Sequence, residues 1–462
     1  MGFLDRFKSN NAKDYLLKQV TKLLHGSQFT YTSYDANNTT YIEKGYNTNP
    51  DVYSIINQQV QETLRIPFYI KKIESNKEAK RYLQYRRTIK NGYDIRSQIK
   101  KRNIESKAFK MMDYDMPLER PNPLQSWNEF IALYKTYLPL TGNAYIWMVT
   151  PKEGANKGVP IEIYLLPSQL TQIVLKDANL IEETDVIDYY TIQQGSDYLR
   201  FDAEDVIHIK YANPNFDYSG SHLYGVSKLK AALKNIQSSN AAHDLNANTL
   251  SNGGVFGFIS TKEPMTAEQA KSIKDRLIQM DNDPKRLSNI AGSSQEVVFT
   301  RISLTTDELK PFEYLMHDQK MICNVLGWDN KLLNNDGGAK FSNLNVAVRR
   351  AINSGVLPDL RMLENAFNEQ ILPRFKGYEN ALFVFDESEL PEMQQDLETL
   401  TKRLDTYLDN GVITRAEYRE AISYAPIEDE NLNILTVSKS IQTLDDAINP
   451  LEPLDNDTET MA

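Results

Sequence analysis

The chain has 462 residues, of which 41% are hydrophobic and 25% charged, and its formal net charge is −10. This length allows about two to four domains with cores of their own. The composition excludes a wholly disordered or collagen-like chain. The single cysteine cannot build a disulfide framework or a thiolate zinc site, so we expect a protein of a reducing compartment.

Neither the N-terminus nor the interior of the sequence predicts a membrane segment. Residues 1–11, MGFLDRFKSNN, lack the apolar run of a signal peptide. The longest apolar stretch, residues 130–149, is interrupted by Lys135, Pro139 and Gly142, well short of the ~18 apolar residues that span a bilayer. We therefore expect a soluble protein that does not bind membranes.

The charge is distributed unevenly along the chain. Residues 378–462 contain 20 acidic and 5 basic residues, a net charge of −15. Residues 1–377 contain the remaining 47 basic and 42 acidic residues and carry +5. Residues 71–110 contain 14 lysines and arginines against 4 acidic residues.

Two interpretations of this basic segment stay open. It could bind nucleic acid or another anionic partner, or it could be the solvated face of an amphipathic helix around Lys80–Lys110. Its tyrosines Tyr82 and Tyr85 could share a helix face and serve a core, or stack on bases.

The first 142 residues are predicted to contain both helices and a strand. Apolar spacing predicts a short helix near Ala12–Leu24 and a longer one over Asp51–Ile66, followed by a strand in residues 67–73. Ser126 and Glu129 form a capping-box pattern that begins a helix through Leu138. Pro139 and Gly142 are expected to end it.

Residues 143–210 contain five short runs of aromatic and β-branched residues, typical of a sheet: NAYIWMV, IEIYLLP, LTQIVL, DYYTI and DVIHIKY. A polar loop over 213–225 follows. A long helix is predicted from Val226 to about Leu250 and a second over Glu308–Trp328, with a small insert between them. The insert has a strand in each of VFGFIS and EVVFTRI and a helix over Thr266–Met280.

The C-terminal part is predicted to be helical with one strand. A loop over 329–343 leads into a helix over Leu344–Phe375, which Pro358 should break or kink. LFVF is a strand, a helix follows over Pro391–Asp409, and Thr414–Glu417 caps another. Disorder is expected after about Ile448. The predicted fold class is therefore α+β.

Patterns that carry catalytic chemistry are missing from the sequence. The histidines have no metal-ligand spacing, and His208, within a β-run, is predicted to be structural. Cys323, on an apolar helix face, is predicted to be a buried, inert thiol. Residues 334–341, NNDGGAKF, lack the phosphate-loop pattern, and DNDPKR (281–286) is more typical of a turn than of a cation site. We predict no enzyme, no catalytic residues, no cofactor and no metal.

Several motifs, in order from Phe3 to Tyr424, resemble portal proteins of tailed bacteriophages, the head-to-tail connectors of long-tailed phages. They are the opening MGFLDRF, Arg120-Pro121-Asn122-Pro123, Gly142-Asn143-Ala144-Tyr145-Ile146, Pro160–Pro167, Asp205–Lys210, Gly225–Ala232, Ile322–Gly327, and the late Asn410-Gly411, Ile413-Thr414, Glu417 and Arg419. Two positions depart from the family pattern. Lys228 stands where proline is common, and Trp328-Asp329 where Val-Pro is common.

The resemblance implies a subunit with a mixed α/β wing, two stem helices that flank a small α/β clip, a tunnel loop with a long helix, and a helical crown. The implied bounds, in chain order, are wing 1–225, stem 226–250, clip 251–307, stem 308–328, tunnel loop 329–343, wing 344–390, crown 391–424 and acidic tail 425–462, the last partly disordered.

The implied function is a twelve-fold ring at one capsid vertex through which double-stranded DNA is packaged and ejected. Implied partners are further copies of the chain, major capsid and scaffolding proteins, the large terminase subunit, a head-completion adaptor and non-specifically bound DNA. The location would be the virion, with the host cytoplasm during assembly.

A conduit should contact phosphates only weakly. The candidate channel residues are Lys331, Lys340, Arg349 and Arg350, with Gly337 and Gly338 as hinges of the tunnel loop. For the four basic residues, surface solvation or intersubunit ion pairing is an open alternative. The rival functions are a nucleic-acid-processing enzyme with scattered site residues, and a monomeric DNA-binding module that uses residues 71–110.

Overall fold

The structure is a computed structural model that describes residues 38–88, 95–176, 186–215, 220–251, 257–261, 266–268, 271, 275, 297–301, 311–333, 341–387, 390, 397–422 and 430–435. The predicted helix near Ala12–Leu24, nearly all of that over Thr266–Met280, the DNDPKR segment and the tail after Ile448 lie outside this set.

Ten α-helices and eleven strands are named here in chain order. The helices are α1 (Pro50–Leu64), α2 (Asn76–Thr88), α3 (Ile95–Ala108), α4 (Trp127–Thr141), α5 (Leu229–Ser251), α6 (Pro311–Leu326), α7 (Phe341–Ala351), α8 (Leu357–Ala366), α9 (Leu397–Asp409) and α10 (Arg415–Ala421). The strands are β1 (Phe68–Ile73), β2 (Phe109–Tyr114), β3 (Asn143–Val149), β4 (Glu162–Leu166), β5 (Thr171–Leu175), β6 (Ile187–Gln194), β7 (Asp197–Asp202), β8 (Val206–Lys210), β9 (Gly257–Thr261), β10 (Val297–Arg301) and β11 (Ala381–Phe385).

The chain forms two units. The first comprises residues 1–64, 120–157 and 161–362, and the second comprises residues 65–119, 158–160 and 363–462. The mixture of helices with small antiparallel sheets confirms the predicted α+β class. Within the described residues, no helix combines the length and the apolar character that a bilayer crossing requires.

The first unit contains two three-stranded antiparallel sheets, with strand orders β4-β3-β8 and β5-β6-β7. Apolar side chains from both, including Tyr145, Ile173 and Tyr190, are buried in one cluster. Helix α4 follows the predicted capping box, because Glu129 N–H donates to Ser126 Oγ (3.3 Å) and Ser126 N–H donates to the Glu129 carboxylate (2.7 Å). Strands β9 and β10 pair as an antiparallel hairpin.

The second unit contains the sheet β11-β1-β2, covered by α2 and α3. Tyr82, Ile104 and Phe109 are buried together with Leu382 and Val384 of β11. Helix α10 begins with the predicted cap, since Glu417 N–H donates to Thr414 Oγ1 (3.2 Å) and Thr414 N–H donates to the Glu417 carboxylate (3.0 Å). Leu404 and Ile413 form a small core between α9 and α10.

Three sequence predictions need correction. Pro139 does not end α4: it lies in the last turns, where an interrupted hydrogen bond is tolerated, and the helix ends at Gly142, whose φ is +78°. The predicted single helix around Lys80–Lys110 is two helices, α2 and α3, followed by strand β2. Apolar residues of both helices pack into the same core, formed with β11, which a single straight helix over this range could not do.

The long helix is interrupted directly before Pro358, as predicted. A π-helical turn at Ile352–Val356 separates α7 from α8, and Pro358 is the second residue of α8, so the Ser354 carbonyl that its missing amide hydrogen would have bonded lies within the π-helical turn. The third correction is β7, which was not predicted. Asp197 through Arg200 are exposed, so the strand lacks the apolar alternation that marks the others.

Candidate functional site

Helices α5 and α6 form an antiparallel pair in the first unit. The start of α5 and the end of α6 both contact the segment 354–359. The Lys228 ammonium lies 3.5 Å from the Asp359 carboxylate, and Ser354 Oγ donates to the Gly327 carbonyl (2.8 Å). Midway along the pair, Asn235 Nδ2 donates to Asp318 Oδ1 (2.7 Å), and Asp318 is 5% exposed. The start of α5 therefore lies beside the end of α6, and the β9–β10 hairpin follows in the chain between their other ends.

The start of α5 rests on a close backbone contact between two glycines. A Cβ added to Gly225 would lie 2.0 Å from the Gly142 carbonyl oxygen. The Asn143 side-chain oxygen accepts from the Gly225 N–H (2.6 Å) and from Nε2–H of His208 (2.9 Å), which therefore carries its proton on Nε2. Both glycines belong to motifs that the sequence singled out.

The prediction that His208 is structural is confirmed. Its ring stacks on Tyr145 with centroids 4.3 Å apart and is bonded to Asn143. Burial, with a smaller contribution from Lys210, lowers the pKa of His208 to about 3. The imidazole therefore stays neutral at physiological pH. Its hydrogen bond to Asn143 stabilises the segment that leads into α5.

The end of α6 is fixed by a second glycine contact. Gly327 has φ +72° and ends the helix, and Trp328 N–H donates back to the Cys323 carbonyl (2.9 Å). A Cβ on Gly355, within the π-helical turn, would lie 2.9 Å from the Gly327 carbonyl oxygen. Burial, together with Asp51 and Asp329, raises the pKa of the buried Cys323 thiol to about 12, which confirms the prediction of an inert cysteine.

A buried ion cluster, which the sequence did not reveal, joins α4, α8 and the start of α5. Lys135 and Asp359 form an ion pair at 0% and 1% side-chain exposure, and Tyr211 donates a hydroxyl hydrogen bond to the same carboxylate (2.7 Å). Lys135 also donates to the Gly355 carbonyl. Burial alone would raise the pKa of Asp359, but Lys135 and Lys228 hold it below its ordinary value.

The pairing of Lys135 with Asp359 spans 224 positions, so no local pattern could identify it. The available signal is weaker: Lys135 interrupts an apolar run, and a lysine in such a run indicates a buried acidic partner. Lys228, directly before the start of α5, contributes the second positive charge to the cluster.

The candidate channel residues follow α6 in the chain. Lys331 is exposed in a 3-10 turn at Asn330–Leu332. On α7, Arg350 is exposed and Arg349 is half-buried. The other candidates, Lys340, Gly337 and Gly338, lie outside the described residues. The structure therefore describes three of the candidate side chains, those of Lys331, Arg349 and Arg350.

Much of the basic segment 71–110 is used within the second unit. Arg86 is 6% exposed at its side chain and donates to Glu364 (3.1 Å), to Glu387 (2.7 Å) and to a backbone carbonyl. Lys71 pairs with Glu105. Tyr82 is 2% exposed and packs edge-to-face on Phe109, so it belongs to the core and cannot stack on bases.

Lys100 lies over the Tyr85 ring (5.2 Å), and Lys72 over Tyr114 (5.1 Å). These contacts favour packing over DNA binding as the role of the segment, although exposed lysines such as Lys80 and Lys107 remain on its surface.

Among the described residues, one acidic cluster has ligand atoms close enough to hold a cation: Asp202, Glu204 and Asp205. The Lys152 ammonium donates to Asp202 (2.9 Å) and to Asp205 (2.8 Å) and thereby offsets part of the negative charge of the group. We assign the cluster to an ion-pair network rather than to a metal site.

Comparisons with known proteins agree on one family. A family model described as phage portal protein matches residues 96–422, more than two thirds of the chain. The portal protein of Escherichia phage T5 is 23% identical over 326 residues, which cover 70% of this chain and 73% of the phage protein.

Two solved structures share the fold. A chain from the neck of the native gene transfer agent (GTA) particle, computed with twelve-fold symmetry, has a TM-score of 0.57 and 17% identity, covering 89% of this chain and all of that chain. A chain from the neck of the empty particle, computed with six-fold symmetry, has a TM-score of 0.55 and 18% identity, covering 85% and 94%. At these identities the likeness concerns the fold.

Proposed function

This chain belongs to the phage portal protein family, and we propose that twelve copies of it close into a ring at one vertex of a phage capsid. As a portal protein it forms the channel of the head-to-tail connector, a structural capsid component and not an enzyme. The observation that carries this function is the family match over residues 96–422, which spans α5, the β9–β10 hairpin, α6 and α7.

The proposed division of the chain follows the element order. Helices α5 and α6 support stem assignments of 226–250 and 308–328, and the β9–β10 hairpin between them supports a clip over 251–307. The tunnel loop is proposed for 329–343 and the crown for 391–424. The wing then comprises 1–225 and 344–390, and the acidic tail begins at 425.

The twelve-fold number is supported by the neck that shares the fold and was computed with that symmetry. A closed ring uses head-to-tail contacts, so each subunit must present two different and complementary faces. The further proposed partners are major capsid and scaffolding proteins, the large terminase subunit and a head-completion adaptor. The ring would assemble in the host cytoplasm and remain in the virion.

We propose Lys331 and Arg350 as the described side chains that contact DNA phosphates, because both are basic and exposed, Lys331 within the proposed tunnel loop and Arg350 on the helix that follows it. Arg349 is half-buried and would contribute less, while Lys340 would add to the loop and Gly337 and Gly338 would let it move. A few such contacts per subunit would let DNA slide without a sequence-specific grip.

The ring can be tested by light scattering and negative-stain imaging of the same purified fraction. We expect a particle of about twelve times the 53.0 kDa chain mass, with a central hole. A particle without a hole, or a chain that stays monomeric even when coexpressed with its capsid and scaffolding proteins, would contradict the proposed ring.

A further inference from the structure

The surface of α6 that faces away from its buried side carries a polar stripe between two exposed apolar side chains. Exposed residues Glu313, His317, Lys320 and Asn324 follow one another at spacings of four, three and four, which places them on one line along the helix. Tyr314 and Met316 are 61% and 62% exposed. At about 100° per residue they lie on opposite sides of the stripe, roughly 160° apart.

Exposure of the large apolar surfaces of Tyr314 and Met316 to water is unfavourable. A single exposed apolar residue is ordinary, but here a large one borders the polar stripe on each side. Tyrosine and methionine are also enriched in the cores of protein interfaces. The pattern is the one expected for a helix with a protein neighbour on both sides.

On the Tyr314 side, α5 and α6 together present five uncharged side chains, with exposed Lys234 of α5 at their border. Met321, seven residues after Tyr314, is half-buried on the same line of α6. Exposed Ala231, Ser238 and Leu245 follow α5 at the same spacing of seven. We call these five residues the uncharged stem face.

The hydrogen bond between Asn235 and Asp318 fixes the relative heights of the two helices. Because the helices are antiparallel, counting back from Asp318 on α6 and counting forward from Asn235 on α5 lead in the same direction. Tyr314 lies four residues before Asp318, and Ser238 lies three residues after Asn235. The two side chains are therefore at nearly the same height. Met316 lies two residues from Tyr314, or about 3 Å along the axis.

We propose that the uncharged stem face binds the Met316 side of α6 in a second copy of this chain. The inference rests on the proposed ring and names its contact in the stem. Rotation about a ring axis that runs along the stem helices preserves height, so Met316 of one copy meets the next copy beside Tyr314 and Ser238. The contact is head-to-tail, and no residue in it meets its own equivalent.

Disulfide cross-linking tests this contact directly, because the chain has one cysteine, Cys323, which is buried. The test variant carries Met316→Cys and Ser238→Cys. Under oxidising conditions we expect a ladder of covalent oligomers at multiples of 53.0 kDa in non-reducing electrophoresis. A disulfide within one chain is not expected, since Met316 points away from Asp318, the side of α6 that contacts α5.

The matched control is Asn324→Cys with Ser238→Cys, because Asn324 lies in the polar stripe and about 13 Å away in height. This pair and each single-cysteine variant should stay uncross-linked. The native mass of every variant is measured in parallel by light scattering.

The outcomes separate the two proposals. A ring of full mass without a ladder from the test variant would overturn the stem contact and leave the ring intact. Covalent dimers from Met316→Cys alone would show a two-fold contact and overturn the head-to-tail arrangement. A wild-type chain that forms no ring would overturn the proposed ring and the stem contact with it.

Discussion

Gly225 shows how a single residue determines where a long helix starts. It lies against Gly142, and the two backbones are so close that a methyl group on Gly225 would overlap the Gly142 carbonyl. Neither backbone can move independently, because Gly142 closes α4 in the left-handed region and Tyr211 N–H donates to its carbonyl (2.9 Å). The approach of α5 to the sheet therefore depends on the absence of a side chain.

Gly225→Ala should be much more harmful than a glycine substitution in a free turn. Because the overlap is with backbone atoms that no rotamer change can relieve, we expect a loss of at least about 3 kcal/mol in the free energy of unfolding, or insoluble protein. Gly195→Ala is the control: its φ is +64°, and no atom lies within 4 Å of the added carbon. Its loss should be about 1–2 kcal/mol. Equal losses in urea denaturation would contradict the packing argument.

His208 should make stability depend on pH. The unfolded chain takes up a proton on this residue near its ordinary pKa of 6.5, whereas the folded protein holds the pKa at about 3. Stability should therefore fall as the pH is lowered from 6.5 toward 3, by at most about 1.4 kcal/mol per pH unit from this residue. His208→Gln should reduce the slope of unfolding free energy against pH. Equal slopes for the wild-type chain and His208→Gln would show that this histidine is not responsible.

At the scale of elements, the sequence predicts what local patterns determine. Both capping boxes, at Ser126 and Thr414, are formed as predicted because each needs residues only three positions apart. Strands β3 and β8 follow from their own aromatic and β-branched residues. The exposed strand β7 has no such pattern, and its place is determined by pairing with β6.

Contacts between distant residues could not be predicted in the same way. The pairs Lys135–Asp359 and Gly142–Gly225 each join segments far apart in the chain, and each residue alone is compatible with many surroundings. The basic segment was ambiguous for the same reason: only the position of Glu364 and Glu387 beside Arg86 shows that this arginine serves the fold. The family motifs indicated the function without revealing these contacts.

At the scale of the whole molecule, a positive charge of the basic segment 71–110 forms an ion pair with a negative charge of the acidic region that begins at 378. Arg86 lies in the basic segment, and Glu387 lies in the acidic region that begins at 378. The positive charge available to a DNA partner is therefore smaller than the count over residues 71–110 suggests. This agrees with a channel, in which strong phosphate binding would retard the passing duplex.

Binding of a short DNA duplex by the assembled ring should be weak and should depend on Arg350. Each phosphate contact contributes about 0.9 to the slope of log affinity against log salt concentration. In the proposed ring several subunits would contact the duplex at once, so Arg350→Ala should reduce the magnitude of that slope by at least about one. The matched variant, Lys80→Ala with Lys107→Ala, removes two exposed charges of the basic segment and should leave the slope unchanged. If this variant abolished binding while Arg350→Ala did not, the basic segment would be the DNA site and Arg350 would not line the channel.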